Sequence, residues 1–351
     1  MNKKNTGQKI GYISLASVFS AIVVVFVHTN TISGFYTSDV KSSLFLSGTF
    51  LNALYSFAVP IFFMISGVTL MNYPERYDTR TFFRKRLLRT FIPFLFWSIF
   101  GLVFRVYYLH NFSFEKCNFG CLLNELLDGK IIEMYWFFIP LFMIYLVMPL
   151  LAAIPKNKRK KLFSYAVFMM FILNSVTVFI LTLINKNLPN INNYRFLFTG
   201  SGYLIFPLLG YLVHNFKIKK NFRILIYIFG LLMLILRIFG TWFISNETGV
   251  LDYTFDGYLG VPCIIYSAAV FVFFRYAGDF IMKSKIVSKV VKWLNNETLG
   301  IYLIHHYIMV VLIHEISWIT GKTLAFRLLM PLLIVPLSAL ITKFIKNVKI
   351  V

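Results

Sequence analysis

Negative charge is the scarcest thing in this sequence. Of 351 residues only 13 are Asp or Glu, against 35 Lys or Arg, and charged residues together make up 14%. Soluble domains carry about a quarter charged residues, so this chain has too few to cover a water-facing surface. Cysteine is scarce as well, at three. That excludes a disulfide scaffold, and no Cys/His set has metal-ligand spacing, so no metal is expected. Cys117 and Cys121 share an expected loop and are able to pair, although a four-residue spacing equally marks one helix face; Cys263 falls inside an apolar run. A glycine-rich phosphate loop and a low-complexity tail are both missing. The whole chain, 1–351, is therefore expected to be a single domain with no appended soluble domain.

What the sequence has is apolar length. It is 58% hydrophobic and 19% aromatic, with 40 Phe and 20 Tyr, a composition suited to lipid-facing surfaces and interfacial rings. Many runs reach 18 or more residues with few charges, enough to span a bilayer as helix. The expected fold is an all-α, polytopic bundle of about ten spans, placed at 10–30, 46–72, 90–109, 135–153, 162–184, 196–216, 224–244, 258–275, 297–316 and 324–345. The first run is too long for a signal core and more spans follow it, so no cleaved signal peptide is expected.

The net charge of +22 would suit nucleic acid if it formed one patch. It does not. Cations concentrate in the N-terminus, in 76–89, 156–161, 217–223 and 275–292, and in the C-terminal tail. The segments between them hold Asp39, Glu125, Asp128, Glu133, Glu247, Asp252 and Asp256. Basic loops mark the cytoplasmic side, and an even span count then places both termini there. No nucleic-acid partner is expected; the basic excess is topology plus attraction to anionic lipid.

Polar groups inside the spans are costly and by default functional candidates. His28 ends the run "AIVVVFVHTN", about 27 Å along the first helix from Ile10, near its outer end. Arg105 and Arg237 sit at roughly 20 Å from the cytoplasmic side on spans three and seven, and His305, beside His306, lies nearer mid-membrane. A convergence of these groups in the outer half is one reading. Single snorkelling arginines and an interfacial histidine are the other. On the cytoplasmic side, "RTFFRKRLLRTFIPFLFW" packs Arg80, Arg84, Lys85, Arg86 and Arg89 ahead of Pro93. Arginine forks bind phosphate; plain topological anchoring remains the alternative.

Five stretches, in order, carry a family resemblance: "AIVVVFVHTN", "SFAVPIFFMISGVTLM" with Pro60, Ser66 and Gly67, "FFRKRLLRTFIPFLFW", "YWFFIPLFMIYLVMPLL" with Trp136 and Pro149, and "LGIYLIHHYI". The chain resembles the acyltransferase-3 family of membrane O-acyltransferases, many of which O-acetylate or O-succinylate cell-envelope glycans. The resemblance covers spans 1–4 and 9; spans 5–8 match only in hydrophobicity and count. One departure is Ser17, where the family often has Arg or Lys eleven residues before the span-1 histidine.

The resemblance implies an acyl group, expected to be acetyl, moved from cytoplasmic acyl-CoA to a sugar hydroxyl at the outer face of a plasma membrane, expected to be bacterial. No permanently bound cofactor is implied. His28 would be general base or acyl carrier, with His305 as a second catalytic candidate and Tyr302 lining the path. Arg84, Arg86 and Arg89 would hold the CoA phosphates. Arg105 or Arg237 would bind the acceptor or a developing oxyanion. Having no esterase-like domain of its own, the chain would pass the acyl group directly or to a separate extracytoplasmic transferase. A lipid-linked glycan flippase or polymerase is the rival class; a transporter would show a repeated half, and none is evident.

Overall fold

The structure is a computed structural model that describes residues 11–32, 39–113, 118–127, 131–184, 202–316 and 323–347. The N-terminal lysines, Glu115, Cys117 and Asp128 lie outside these residues. The described residues are helical and contain no strand. In chain order the helices are α1 (Gly11–Ile32), α2 (Ser43–Tyr55), α3 (Ala58–Leu70), α4 (Thr79–Arg86), α5 (Ile92–Tyr107), α6 (Phe119–Leu127), α7 (Phe138–Ala153), α8 (Lys156–Phe171), α9 (Thr177–Ile184), α10 (Ile205–Asn215), α11 (Lys220–Thr248), α12 (Val261–Ile281), α13 (Lys285–Leu294), α14 (Thr298–Glu315) and α15 (Leu324–Asn347). Several join end to end. Among the described residues, nine continuous helical stretches are long and apolar enough to cross a membrane. They coincide with nine of the ten expected spans. The sixth, 196–216, is represented by α10, which has only 11 residues; 196–201 lie outside the described residues.

Two effects of proline follow from helix chemistry. Pro60 has no N–H to give the carbonyl four residues back, so the second span breaks between α2 and α3 at Ser56. The released Ser56 carbonyl accepts from the Cys263 thiol at 3.6 Å. Pro331 likewise frees the Arg327 carbonyl, which accepts from Thr29 Oγ1 at 3.2 Å. The second span is broken at Ser56, whereas α15 runs on through Pro331 as one helix. Two π turns, Leu87–Phe91 and Ile172–Val176, widen the third and fifth spans.

In lipid, packing depends on close backbone approach more than on water expulsion. Gly67 on α3 lies against the Pro207 carbonyl of α10, and Gly210 of α10 lies against the Met64 carbonyl of α3; a Cβ at either would overlap backbone. One helix, α11, turns its polar residues inward and its apolar ones outward. On α11, Leu225, Ile228, Leu232, Ile235, Phe239 and Phe243 are exposed, while Gly230, Arg237, Thr241 and Ser245 are buried.

The basic segments collect at one end of the bundle. Arg159 donates to Asn72 Oδ1 at 2.6 Å, Lys156 pairs with Glu75 at 2.6 Å, Arg275 donates to the Phe216 carbonyl at 3.2 Å, and Lys346 reaches Glu297 at 2.8 Å. At the far end, Asn246 donates to the Val40 carbonyl at 3.3 Å and Tyr108 to Glu315 at 2.5 Å. At the basic end α13, with Ser284 as its N-cap, exposes Ile286, Val290 and Trp293.

Candidate functional site

His28 lies in the penultimate turn of α1 and lines a cavity of about 280 Å³ in the far half of the bundle, with Asn52, Ser56, Glu133, Trp136, Arg237, Asp256 and Tyr258 around it. Each wall has a local cause. The Pro60 break brings Ser56 to the cavity. The 3₁₀ turn Glu133–Phe137 brings in Glu133 and Trp136. The loop between α11 and α12 supplies Asp256 and Tyr258, and it is held by Arg237. That guanidinium, 4% exposed, pairs with Asp256 and donates to the Gly257 carbonyl at 3.2 Å. Asp256 also accepts from Asn52 Nδ2 at 3.1 Å and from the Gly257 N–H at 2.9 Å. A buried charge is tolerable when paired and hydrogen-bonded on all sides, as here. In the same loop, burial and the Asp256 carboxylate push the Tyr253 hydroxyl above its ordinary range.

His28 is not alone. The His305 ring stacks on it with centroids 5.2 Å apart, and Tyr302 meets His305 edge-on at 5.9 Å. His305 Nδ1 is 2.9 Å from the Ile301 carbonyl. A carbonyl only accepts, so Nδ1 carries a proton; in the neutral ring, Nε2 then keeps its lone pair. Nε2 is buried and has no partner. Tyr302 is spent on the Met134 carbonyl, 2.5 Å away, which ties α14 to the 3₁₀ turn carrying Glu133.

Toward the basic end, α14 borders a slot of about 360 Å³. Its walls are Leu88, Pro93, Trp97, Leu299, Leu303 and Ile304, and Arg89 and Lys346 stand among its lining. Leu303 and Ile304 immediately precede His305. Arg89 also lines a cationic cavity of about 630 Å³ together with Arg76, Lys85 and Arg86. The Arg86 guanidinium lies over the Phe82 and Tyr145 rings at 5.9 and 5.7 Å, and its Nε is buried without a partner.

The structure therefore brings His28, His305, Tyr302 and Arg237 together and separates others. Arg105 does not join them: it pairs with Glu125 at 2.9 Å and with Asn111 at 3.3 Å at the far surface, and it lines neither His28's cavity nor the slot. Arg84 is exposed and does not line the cationic cavity. On a helix, residues two apart face nearly opposite ways, so Arg84 and Arg86 do not form one clamp; Arg76 and Lys85 complete the cavity instead. Sequence reasoning missed Arg327, fully buried, which donates to the Leu44 carbonyl at 3.3 Å and to Ser47 at 3.1 Å and so ties α15 to α2. An arginine within the last span was a readable signal. It also missed Asn174 and the Trp136–Tyr258 stack, centroids 5.2 Å apart. Cys263 is a free buried thiol, and Cys121 is disulfide-bonded.

The multi-span helical bundle thus holds two stacked imidazoles in its interior and a cationic cavity at its basic end. Residues 10–343 match the acyltransferase domain that defines the acyltransferase-3 family, and the chain belongs to that family of membrane acyltransferases. No curated protein and no solved structure matches the chain.

Proposed function

We propose that the protein transfers an acyl group, with acetyl as the simplest case, from acyl-CoA at the basic, cytoplasmic end to a hydroxyl of a cell-envelope glycan or lipid-linked sugar at the far end. The observation that carries this reading is that the cationic cavity and the apolar slot share Arg89, while the slot's Leu303 and Ile304 directly precede His305, which stacks on His28. The cationic cavity of Arg76, Lys85, Arg86 and Arg89 suits the polyanionic head of CoA. The apolar slot sharing Arg89 suits its long arm.

The transfer needs few groups. His28, lining the far cavity, takes the proton of the acceptor hydroxyl as its oxygen attacks the thioester carbonyl. The tetrahedral oxyanion collapses, the carbon–sulfur bond breaks, and the imidazolium returns the proton to the departing CoA thiolate. His305, with its proton fixed on Nδ1, keeps the His28 ring in place by stacking and gives the thioester a polar edge to pass. The Arg237–Asp256 pair holds the loop that closes the far cavity.

The test is transfer of radiolabel from acetyl-CoA into envelope material by membranes carrying the wild-type chain or a variant. His28→Ala should reduce transfer by about 10²–10⁴-fold, the usual worth of general acid–base catalysis, with folded protein retained. His28→Gln, which hydrogen-bonds but shuttles no proton, should be nearly as inactive. Restoration of most activity by glutamine would reduce His28 to a positioning group.

A further inference from the structure

A second and larger far-end space, about 550 Å³, lies beyond the His28 cavity, and the two share Tyr253, Asp256, Gly257 and Tyr258 as a common wall. That volume is in the range of small-molecule sites. Its opposite wall is the π turn between α8 and α9. There Thr177 gives the Ile172 carbonyl both its N–H and its hydroxyl, the latter at 2.9 Å, and the widened turn carries Asn174 and Ser175. Such π bulges recur at functional sites.

Asn174 is the telling residue. It is 7% exposed and lines the space, yet neither its amide nitrogen nor its amide oxygen has a partner. Buried polar groups are almost always satisfied, so an orphaned amide in the wall of a cavity is a position that a ligand would complete. An amide offers donor and acceptor side by side, the complement of neighbouring sugar hydroxyls. Rings stand near it: Trp136 stacks on Tyr258 and meets Tyr203 at 5.8 Å, and both tyrosines line the space. Flat aromatic faces take the C–H face of a pyranose.

We infer that this space is the acceptor subsite, holding an uncharged pyranose ring with vicinal hydroxyls between Asn174 and the Tyr258 and Tyr203 rings, so that one hydroxyl of the sugar reaches His28 past the residues the two spaces share. The inference rests on the acyl-transfer reading for its meaning but not for its test.

The test is direct sugar binding without acyl-CoA. The full chain in nanodiscs is titrated with methyl glycosides of glucose, galactose, mannose, rhamnose and N-acetylglucosamine, read by saturation-transfer NMR. Asn174→Leu keeps the side-chain volume and removes the orphaned polar atoms, so it should fold; Tyr258→Leu removes one ring as an independent probe. At least one glycoside should bind the wild-type chain, and both variants should weaken it tenfold or more. Absence of binding by every glycoside, or undiminished binding in both variants, would overturn the subsite. Label transfer from acetyl-CoA by the wild-type chain is measured in parallel. If transfer occurs and glycoside binding does not, the subsite alone is wrong; if glycosides bind in the Asn174-dependent way and no acyl-CoA is consumed, the acyl-transfer reading alone is wrong.

Discussion

Arg86 and Arg89 face one cavity while Arg84 faces away, and that single geometric fact separates two readings of the basic stretch. A topological anchor depends on charge count, so any of the three would serve. A phosphate clamp depends on direction. Arg86→Ala combined with Arg89→Ala should raise the KM for acyl-CoA by tenfold or more, since each charge-assisted hydrogen bond is worth about 1.5–3 kcal/mol. Arg84→Ala should change it by less than about twofold. Equal effects from the two would return the cluster to its anchoring role. Charged residues were also what the sequence revealed best. His28 and Arg237 stand out because a titratable group in an apolar run needs a reason. Asn174 does not stand out, because a neutral amide carries no such penalty in the sequence and its significance depends on partners that only three dimensions show to be missing. Arg105 misleads for the converse reason: its depth was readable, but its pairing with Glu125 was not.

Among the helices, proline and glycine do most of the positioning. The second span reads in sequence as one apolar run, 46–72, and the structure divides it at Ser56, four residues before Pro60. The proline was visible; the carbonyl it releases, and the Cys263 thiol that takes it up, were not. The same rule at Pro331 delivers the Arg327 carbonyl to Thr29, the neighbour of His28. The π turns have no sequence signature at all, although one shapes the cationic cavity and the other the proposed acceptor wall. Span number and order were legible because hydrophobic length is a local property, whereas which faces meet depends on contacts between distant helices. The closest of those is α3 against α10. Gly67→Ala would push a methyl into the Pro207 carbonyl, and because both sides are backbone, neither can swing away. Overpacking of this kind costs about 1–3 kcal/mol, so the variant should lose thermal stability in detergent. An unchanged melting temperature would mean that the two helices separate freely.

For the molecule as a whole, the account requires an inside and an outside. The sorting of cations to one end sets the expected orientation, and the structure gathers those basic segments through contacts such as Lys156–Glu75 and Lys346–Glu297. Cysteines placed at Lys158 and Lys219 should be labelled by an impermeant reagent only from the cytoplasm, and one at the exposed Val250 only from outside. Labelling of Lys158 and Val250 positions from the same face would contradict the arrangement of spans.

On the proposed function, one chain carries an acyl group from one membrane face to the other through His28. This is tested most directly in proteoliposomes holding the purified protein, with radiolabelled acetyl-CoA on the side of the basic loops and envelope glycan on the other side only. Label should appear on the glycan across the membrane, and His28→Ala should abolish it while leaving the protein inserted. Transfer that occurs only when both substrates share one side, or that proceeds undiminished without His28, would contradict the account.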